Sequence, residues 1–334
     1  MTANRIPGQA PGGKRTKLVD VLPLRTPYLI QFFPIYACNF RCEYCFMSTD
    51  PDKRTFVSDR IRMEMGLFAK CVEDMLEFHD KVRTVRFVGM GEPLLHSGIH
   101  TMVKLVRDSG MTDRIELLTN GSLLSPRKSD ALISAGLSSL IVSIQGMGDD
   151  KYQKITGVSP ILDTIIQNIA YFYANRGKCH VYVKIVDYAL DSKAEEERFY
   201  HTFESICDTI AVEHVVPIMP GVDYTNIPCD KESTQFGLKV GETEICPQPY
   251  FTMQINPDGK VVPCYQINYP SILGDINKEN LVDIWSHGFK YFQYSMTFGR
   301  NKLKVCDQCE FVRYRAFPED GLAGSAERLR LLYR

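Results

Sequence analysis

This chain lacks the usual marks of a membrane, nucleic-acid or secreted protein. None of its hydrophobic stretches approaches the roughly 18 apolar residues that a membrane-spanning helix needs, although 44% of its 334 residues are hydrophobic. Thirty-nine basic residues stand against 40 acidic ones, a formal net charge of -1, so nothing pulls it electrostatically toward phosphate backbones or anionic lipid. The polar opening, rich in Gly and Pro, has no apolar core of the signal-peptide kind and reads as a flexible tail. There is no internal repeat and no low-complexity tract. Eleven cysteines are an odd count, a poor fit to a disulfide framework. The expectation is a cytoplasmic protein, where thiols stay reduced and grouped cysteines point to metal or catalysis.

What the chain does hold is a dense cysteine loop. Cys38, Cys42 and Cys45 stand in the run Cys-Asn-Phe-Arg-Cys-Glu-Tyr-Cys, which offers three thiolates from one short loop and suits an iron–sulfur cluster. A cubane [4Fe–4S] cluster has four irons, so three ligands leave one iron open to a non-protein group. The alternative is a zinc knuckle, which closes with a fourth Cys or His nearby. The next cysteine is Cys71 and the next histidine is His79, both outside the loop.

Through the first two-thirds of the chain, apolar and β-branched runs alternate with helical periodicity. The strand candidates are Tyr28–Pro34, Arg83–Gly89, Arg114–Thr119, Leu140–Gln145, Val181–Asp187 and Ala211–Ile218. Helix-like segments lie near Arg60–His79, Ile99–Ser109, Pro126–Ala135, Ile161–Asn175 and Lys193–Thr209. Such alternation predicts an α/β fold with a parallel sheet and crossover helices. Six units fall short of a closed eight-unit barrel, so an open partial barrel is expected, with its chemistry on the loops that follow the strands. After Pro220-Gly221 the pattern changes. The expected layout is a tail over 1–24, a barrel over 25–222, a linker over 223–240, a small cysteine-bearing domain over 241–317 and a helical tail over 318–334. The charged run Lys193–Arg198 reads as the solvated start of a helix. Trp285, the one tryptophan, falls at helical spacing with Leu281, Val282 and Ile284 and is expected to pack.

Three strand ends carry small or polar groups. Gly89-Met90-Gly91-Glu92-Pro93 follows the second strand candidate; its glycines allow close backbone approach, Pro93 stiffens the exit and Glu92 offers an acceptor for an ammonium group. Thr119-Asn120-Gly121 and Ser143-Ile144-Gln145-Gly146 end the next two. Taken singly, each of these also reads as an ordinary turn.

The cysteine loop with Tyr44 before its last cysteine, followed by Gly-Met-Gly-Glu-Pro, resembles the radical S-adenosylmethionine (SAM) superfamily over roughly residues 28–220. The resemblance implies a partial (β/α)6 barrel, with a cluster held by Cys38, Cys42 and Cys45 and SAM on its open iron. One electron would then cleave SAM to methionine and a 5′-deoxyadenosyl radical that abstracts a substrate hydrogen. It further implies that Gly89, Met90, Gly91, Glu92 and Pro93 hold the methionine amino group. Ser143 would face the ribose or carboxylate, with Asn120 beside it. Met90 stands where Gly is usual, and Gln145 where Asp is common. A low-potential donor of the flavodoxin or ferredoxin type is the implied redox partner.

A second set, Cys246, Cys264, Cys306 and Cys309, could close a tetrahedral site; zinc and a fully ligated [4Fe–4S] cluster both fit four thiolates. Between the first two lies a hairpin turn, Asn256-Pro257-Asp258-Gly259, flanked by Phe251–Ile255 and Lys260–Val262. The hairpin, the Gly-x4-Cys ending at Cys264, the stretch Gly274–Trp285 and Cys306-Asp-Gln-Cys309 resemble the SPASM/twitch extension of radical SAM enzymes. With no cysteine after Cys309, the single-cluster twitch form fits, for two [4Fe–4S] clusters in all.

Cys71, Cys179 and Cys207 are expected to be small buried hydrophobes. Cys229 lies in the linker, either as an ordinary loop cysteine or as a thiol that returns a hydrogen to a substrate radical, which would make the reaction an epimerisation. Oxidation of a carbinol carbon is the competing outcome, as in the twitch-bearing 2-deoxy-scyllo-inosamine dehydrogenase type. The substrate expected is a polyol, such as a sugar or aminocyclitol, with a ribosomal peptide as the alternative. Outside catalysis, an iron–sulfur or zinc protein for electron transfer remains. Lys184, Asp187, His214, Asp223, Tyr224 and Gln248 are further polar candidates for substrate contact.

Overall fold

The computed structural model describes residues 2–7, 15–54, 58, 60–264 and 269–334. Among them ten strands form one sheet. They are Asn4–Arg5 (β1), Leu29–Phe32 (β2), Thr84–Phe87 (β3), Ile115–Thr119 (β4), Ser139–Ile144 (β5), His180–Val186 (β6), Thr209–Glu213 (β7), Thr252–Ile255 (β8), Lys260–Val262 (β9) and Gly274–Asp275 (β10). The order is β1-β7-β6-β5-β4-β3-β2-β8-β9-β10. From β2 to β7 each strand pairs in parallel with its successor, so every connection must cross back over the sheet. The helices Met65–Met75, Ile99–Ser109, Pro126–Ser134, Leu162–Asn175 and Lys193–Phe203 do so. This is a partial (β/α)6 barrel: β7 and β2 do not meet but pair with β1 and β8.

Local chemistry supports these elements. Pro126 opens its helix, where a missing N–H costs nothing. The Ser192 side chain accepts from the Glu195 N–H at 3.2 Å and caps the helix that starts in the charged run. The helices turn apolar faces to the sheet. Phe68, Cys71, Val72 and Met75 on one, and Met102, Val103 and Val106 on the next, join Phe32 and Phe87 in the main core. Phe32 meets Phe68 edge-on at 4.8 Å. Each such large apolar side chain contributes about 1.5–3 kcal/mol on burial. Cys71, Cys179 and Cys207 sit in this core as hydrophobes. Trp285 is buried, donating from Nε1 to the Leu24 carbonyl at 3.0 Å. Among the described residues no helix is long and apolar enough to cross a membrane.

The opening segment departs from the flexible tail its composition predicts. β1 extends the sheet beside β7. The helix Leu18–Val21 buries Leu18, and Leu22 follows it, against Tyr250, Phe292 and Leu329. Arg15 donates to both oxygens of Asp320 at 3.0 and 2.9 Å. An unpaired strand edge and a distant apolar surface give a polar segment its partners, and neither can be read from that segment. Residues 1 and 8–14 lie outside the described residues. The hairpin β8–β9 also joins the barrel: Leu29 to Phe32 run in parallel register with Thr252 to Ile255, so one sheet continues across the expected linker.

Candidate active site

The cysteine loop after β2 and the glycine-rich turn after β3 fit together at backbone distance. The Glu92 N–H donates to the Ala37 carbonyl at 2.8 Å. A Cβ on Gly91 would stand 2.3 Å from the Ile35 carbonyl oxygen and 2.7 Å from that of Ala37. Gly89 has φ 141°, and a Cβ there would enter the Phe33 ring at 2.6 Å. Both glycines are therefore demanded by contact between the two loops. Met90 packs against the Phe46–Met47 pair, as do Cys38 and Cys45, and buried Pro93 opens the short turn Pro93–Leu95.

Glu92 is buried, and its carboxylate takes three donors: the Leu94 N–H at 2.9 Å, the Thr119 hydroxyl at 2.8 Å and the Asn120 N–H at 2.8 Å. Burial pushes its pKa up, while the same three donors oppose the rise. An ionised carboxylate has about four acceptor positions, so this one chiefly ties the β3 turn to the end of β4. Glu92→Gln would set an amide donor against a donor and is expected to cost about 1–3 kcal/mol of stability, read by denaturant unfolding. Unchanged stability would remove that tying role.

Asn120 is likewise engaged. Its Nδ2 donates to Asn39 Oδ1 at 3.0 Å, and its Oδ1 accepts from the Ser122 N–H and hydroxyl at 3.0 and 2.6 Å, which fastens the cysteine loop to β4. Gln145 Oε1 accepts from the Tyr44 hydroxyl, and its Nε2 donates to the Ser143 carbonyl at 3.1 Å. Ser143 stands beside Lys184 in the β5–β6 register.

These loops and the inner strand faces wall a cavity of about 280 Å³. Cys38, Cys42, Cys45, Gly89, Gly91, Glu92, Asn120, Ser143 and Gln145 line it, whereas Met90 and Pro93 are not in its lining. Burial pushes the Cys38 thiol up to about 11 and raises Cys42 and Cys45 as well, with the Cys45 charge adding to the rise at the other two. Three half-buried thiols lining one cavity repel as thiolates, and a bound cationic group reverses that balance.

The far wall brings Lys184 and His214, expected from the sequence as polar candidates, together with Glu213 and Gln235, which the sequence does not reveal. Glu213, buried at the end of β7, accepts from Lys184 Nζ and Gln235 Nε2, both at 2.6 Å, and from the Tyr182 hydroxyl at 3.2 Å. Next to it, His214 Nδ1 lies 2.8 Å from Asp187 Oδ2. The other Asp187 oxygen accepts the Val215 and Tyr188 N–H groups at 2.9 and 2.8 Å. Lys184, Glu213, His214 and Gln235 line the cavity. The other candidates fall elsewhere. Asp223 is exposed, the Tyr224 hydroxyl bonds the Met219 N–H and the Tyr44 carbonyl, and Gln248 lines both a second cavity and the pocket of the later cysteines. Cys229 is half-buried and is not in the lining of the main cavity. Burial, then Asp187, raises its thiol.

Cys246, Cys264, Cys306 and Cys309 line one pocket of their own. Burial and then Cys264 push the Cys246 thiol well up. Among the described residues no three His, Cys, Asp or Glu side chains converge as ligands of a single ion. Both cysteine sets instead wall a space, a spread that suits a multi-iron cluster.

The radical SAM superfamily model matches residues 32–190, and the SPASM iron–sulfur cluster-binding domain model matches residues 246–310. This chain belongs to the radical SAM superfamily. The first match holds the cysteine loop and the glycine-rich turn, and the second holds all four later cysteines, so SAM and iron–sulfur clusters are the implied cofactors. The chain is 31% identical over 132 residues to a GTP 3′,8-cyclase of Chlorobaculum tepidum, covering 40% of this chain and 37% of that one. It thus spans little more than a third of that relative's length. It is 23% identical over 330 residues to the tungsten-containing aldehyde ferredoxin oxidoreductase cofactor-modifying protein of Pyrococcus furiosus, covering 83% of this chain and 87% of that one. Among solved radical SAM folds, BtrN in complex with AdoMet and 2-DOIA aligns with TM-score 0.54 at 20% identity, over 86% of this chain and 95% of that one. Streptococcus suis SuiB bound to S-adenosylmethionine aligns with TM-score 0.61 at 16% identity, over 93% and 79%. At these identities the likeness is one of fold.

Proposed function

We propose that this chain cleaves SAM reductively and oxidises a carbinol carbon of a small polyhydroxylated substrate, of the sugar or aminocyclitol kind. Cys38, Cys42 and Cys45 would hold one [4Fe–4S] cluster, with SAM on its open iron. Cys246, Cys264, Cys306 and Cys309 would hold a second, fully ligated one. When bound, these groups supply abstraction of a hydrogen atom from carbon and a sink for one electron.

The observation that carries this reading is the polar set facing the cysteine loop across one cavity of about 280 Å³. A polyol needs donors and acceptors on several sides, and Lys184, Glu213 and Gln235 offer them already oriented by their mutual bonds. His214 is placed to take the hydroxyl proton. With Nδ1–H donated to Asp187, its Nε2 is an acceptor. The fold likeness to BtrN, whose structure contains AdoMet and 2-DOIA, points the same way. Cys229 stands outside the cavity lining, so oxidation, rather than epimerisation with a returned thiol hydrogen, is the outcome favoured here.

Anaerobically reconstituted protein is expected to bind about eight irons, to release 5′-deoxyadenosine with a low-potential reductant, and to convert a polyol to a product two mass units lighter. Zinc in place of iron, or no SAM cleavage, would sink the proposal. His214→Gln is expected to lower oxidation about 10²-fold while 5′-deoxyadenosine still forms. Equal loss of both would exclude a proton-accepting role. Cys229→Ala should leave oxidation intact, whereas solvent deuterium in the product that disappears in this variant would establish epimerisation.

A second reading, maturation of a ribosomal peptide by crosslinking or epimerisation, draws on a groove of about 470 Å³ between residues 217–224 and 304–310. Ile218 and Met219 lie in both this groove and the main cavity. SuiB, of like fold, was solved with its precursor peptide SuiA. Turnover of a peptide and of no polyol would favour it.

A further inference from the structure

The four later cysteines come from three separate stretches of chain, and one residue, Arg300, joins two of these stretches. Arg300 Nη1 donates to the Cys306 carbonyl at 2.8 Å and to the Cys309 carbonyl at 2.7 Å. These two cysteines are already linked by the Cys309 N–H donating to the Cys306 carbonyl at 3.2 Å. The Arg300 backbone N–H donates to the Glu244 carbonyl at 2.9 Å, two residues before Cys246. The side chain therefore faces the cysteine pocket, which it helps to line, while its backbone anchors the segment that delivers Cys246.

Its charge is not neutralised locally. Among the described residues no carboxylate forms an ion pair with Arg300, and the nearby Glu310 pairs with Arg313 at 3.5 Å. Its hydrogen bonds all end on neutral carbonyls. A positive charge with no carboxylate in ion-pair contact thus stands at the wall of the cysteine pocket. Burial is the largest influence on the Cys306 thiol and Cys309 the next; Arg300 opposes both.

We propose that Arg300 is a positioning residue of the second cluster site: it clamps the Cys306–Cys309 turn to the Cys246 segment and sets a positive charge beside the cluster. Adding an electron makes a cluster more negative, so this charge favours the reduced form and raises the reduction potential. A higher potential suits a site that would receive one electron from a substrate radical as it becomes the ketone. The inference rests on the reading that these four cysteines hold an iron–sulfur cluster.

The test uses the full-length chain carrying Cys38→Ala, Cys42→Ala and Cys45→Ala, so that the second cluster is observed alone. Metal content and a redox titration followed by electron paramagnetic resonance give the readouts, and neither depends on turnover. Arg300→Gln is expected to shift the reduction equilibrium toward the oxidised form at least tenfold, about 59 mV for a one-electron couple. Arg300→Lys is expected to stay near the parent. An unmoved midpoint in Arg300→Gln, with about four irons still bound, overturns the proposal. If Arg300→Gln takes up no iron, Arg300→Lys decides. A lysine variant with full iron and the parent midpoint supports the assignment, and one that is folded but lacks iron or is shifted overturns it. Zinc in the parent chain would instead reject the cluster reading before any Arg300 variant is made.

Discussion

Replacing Cys38, Cys42 and Cys45 together with alanine is expected to abolish 5′-deoxyadenosine formation while leaving a folded protein with about half its iron, some four atoms of about eight. The fold should survive because these cysteines belong to a loop at the barrel mouth, and the main core is built by the sheet and its helices. SAM cleavage should not, because removing all three thiols leaves nothing to anchor the cluster whose open iron would hold SAM. The complementary change, Cys246→Ala, should reverse the pattern, with SAM cleavage retained and substrate oxidation lost. Iron analysis and chromatography of nucleoside products decide both. If the triple variant still forms 5′-deoxyadenosine, or if both iron sets vanish together, the division of labour proposed between the two cysteine groups is wrong.

The second large effect is expected from a single methyl group. Gly91→Ala would place a carbon 2.3 Å from the Ile35 carbonyl oxygen and 3.0 Å from the Ala37 nitrogen. Both are backbone atoms, so no flexible side chain can yield, and one of the two loops must move. The cost should be about 1–3 kcal/mol, as for overpacking elsewhere, and it falls on the loop that carries the cysteines. Misplacing reacting groups by about 1 Å can cost about 10²-fold in rate. Gly91→Ala should therefore lose SAM cleavage by about that factor or more, with a modest drop in midpoint denaturant. Near-normal cleavage in this variant would show that the two loops are not mechanically joined. Gly66→Ala serves as a control, since a Cβ at Gly66 meets nothing within 4 Å.

Much of the barrel could be read from the sequence, because its signals are local. The six strand candidates all appear as β2 to β7, and Ile99–Ser109 matches its helix end for end. β-branched runs and amphipathic faces arise from neighbours in sequence, so periodicity reports them. The cysteine loop was legible for the same reason, its three cysteines being local. The polar wall opposite was legible only in Lys184 and His214. Glu213 looks like a surface acid beside a histidine at the end of a short strand, and Gln235 lies in a stretch without regular structure. Their meeting depends on the strand phase that turns Glu213 inward and on the return of the chain past β7. Only the inward parity of β7 hinted at Glu213, and nothing in the sequence hinted at Gln235.

Inside the recognisable motif the fold adds protein partners that the sequence does not show. Glu92 suggested an acceptor for an ammonium group, yet three protein donors occupy its carboxylate. The glycines suggested room for a ligand, and their first use is to admit the backbone of the cysteine loop.

By itself, then, the sequence determined the grouping of the cysteines, the family and the parallel six-strand core, since each is encoded by spacing or periodicity along a continuous run. Only the tertiary structure decided that a polar opening segment completes one edge of the sheet, that the hairpin of the second cysteine set extends the other, and that Lys184, Glu213, His214 and Gln235 share a cavity with Cys38, Cys42 and Cys45. Those outcomes depend on contacts between residues far apart in the chain, where an open strand edge, a buried charge or a carbonyl within reach of a guanidinium selects its partner. Such selection exists only once the chain has folded.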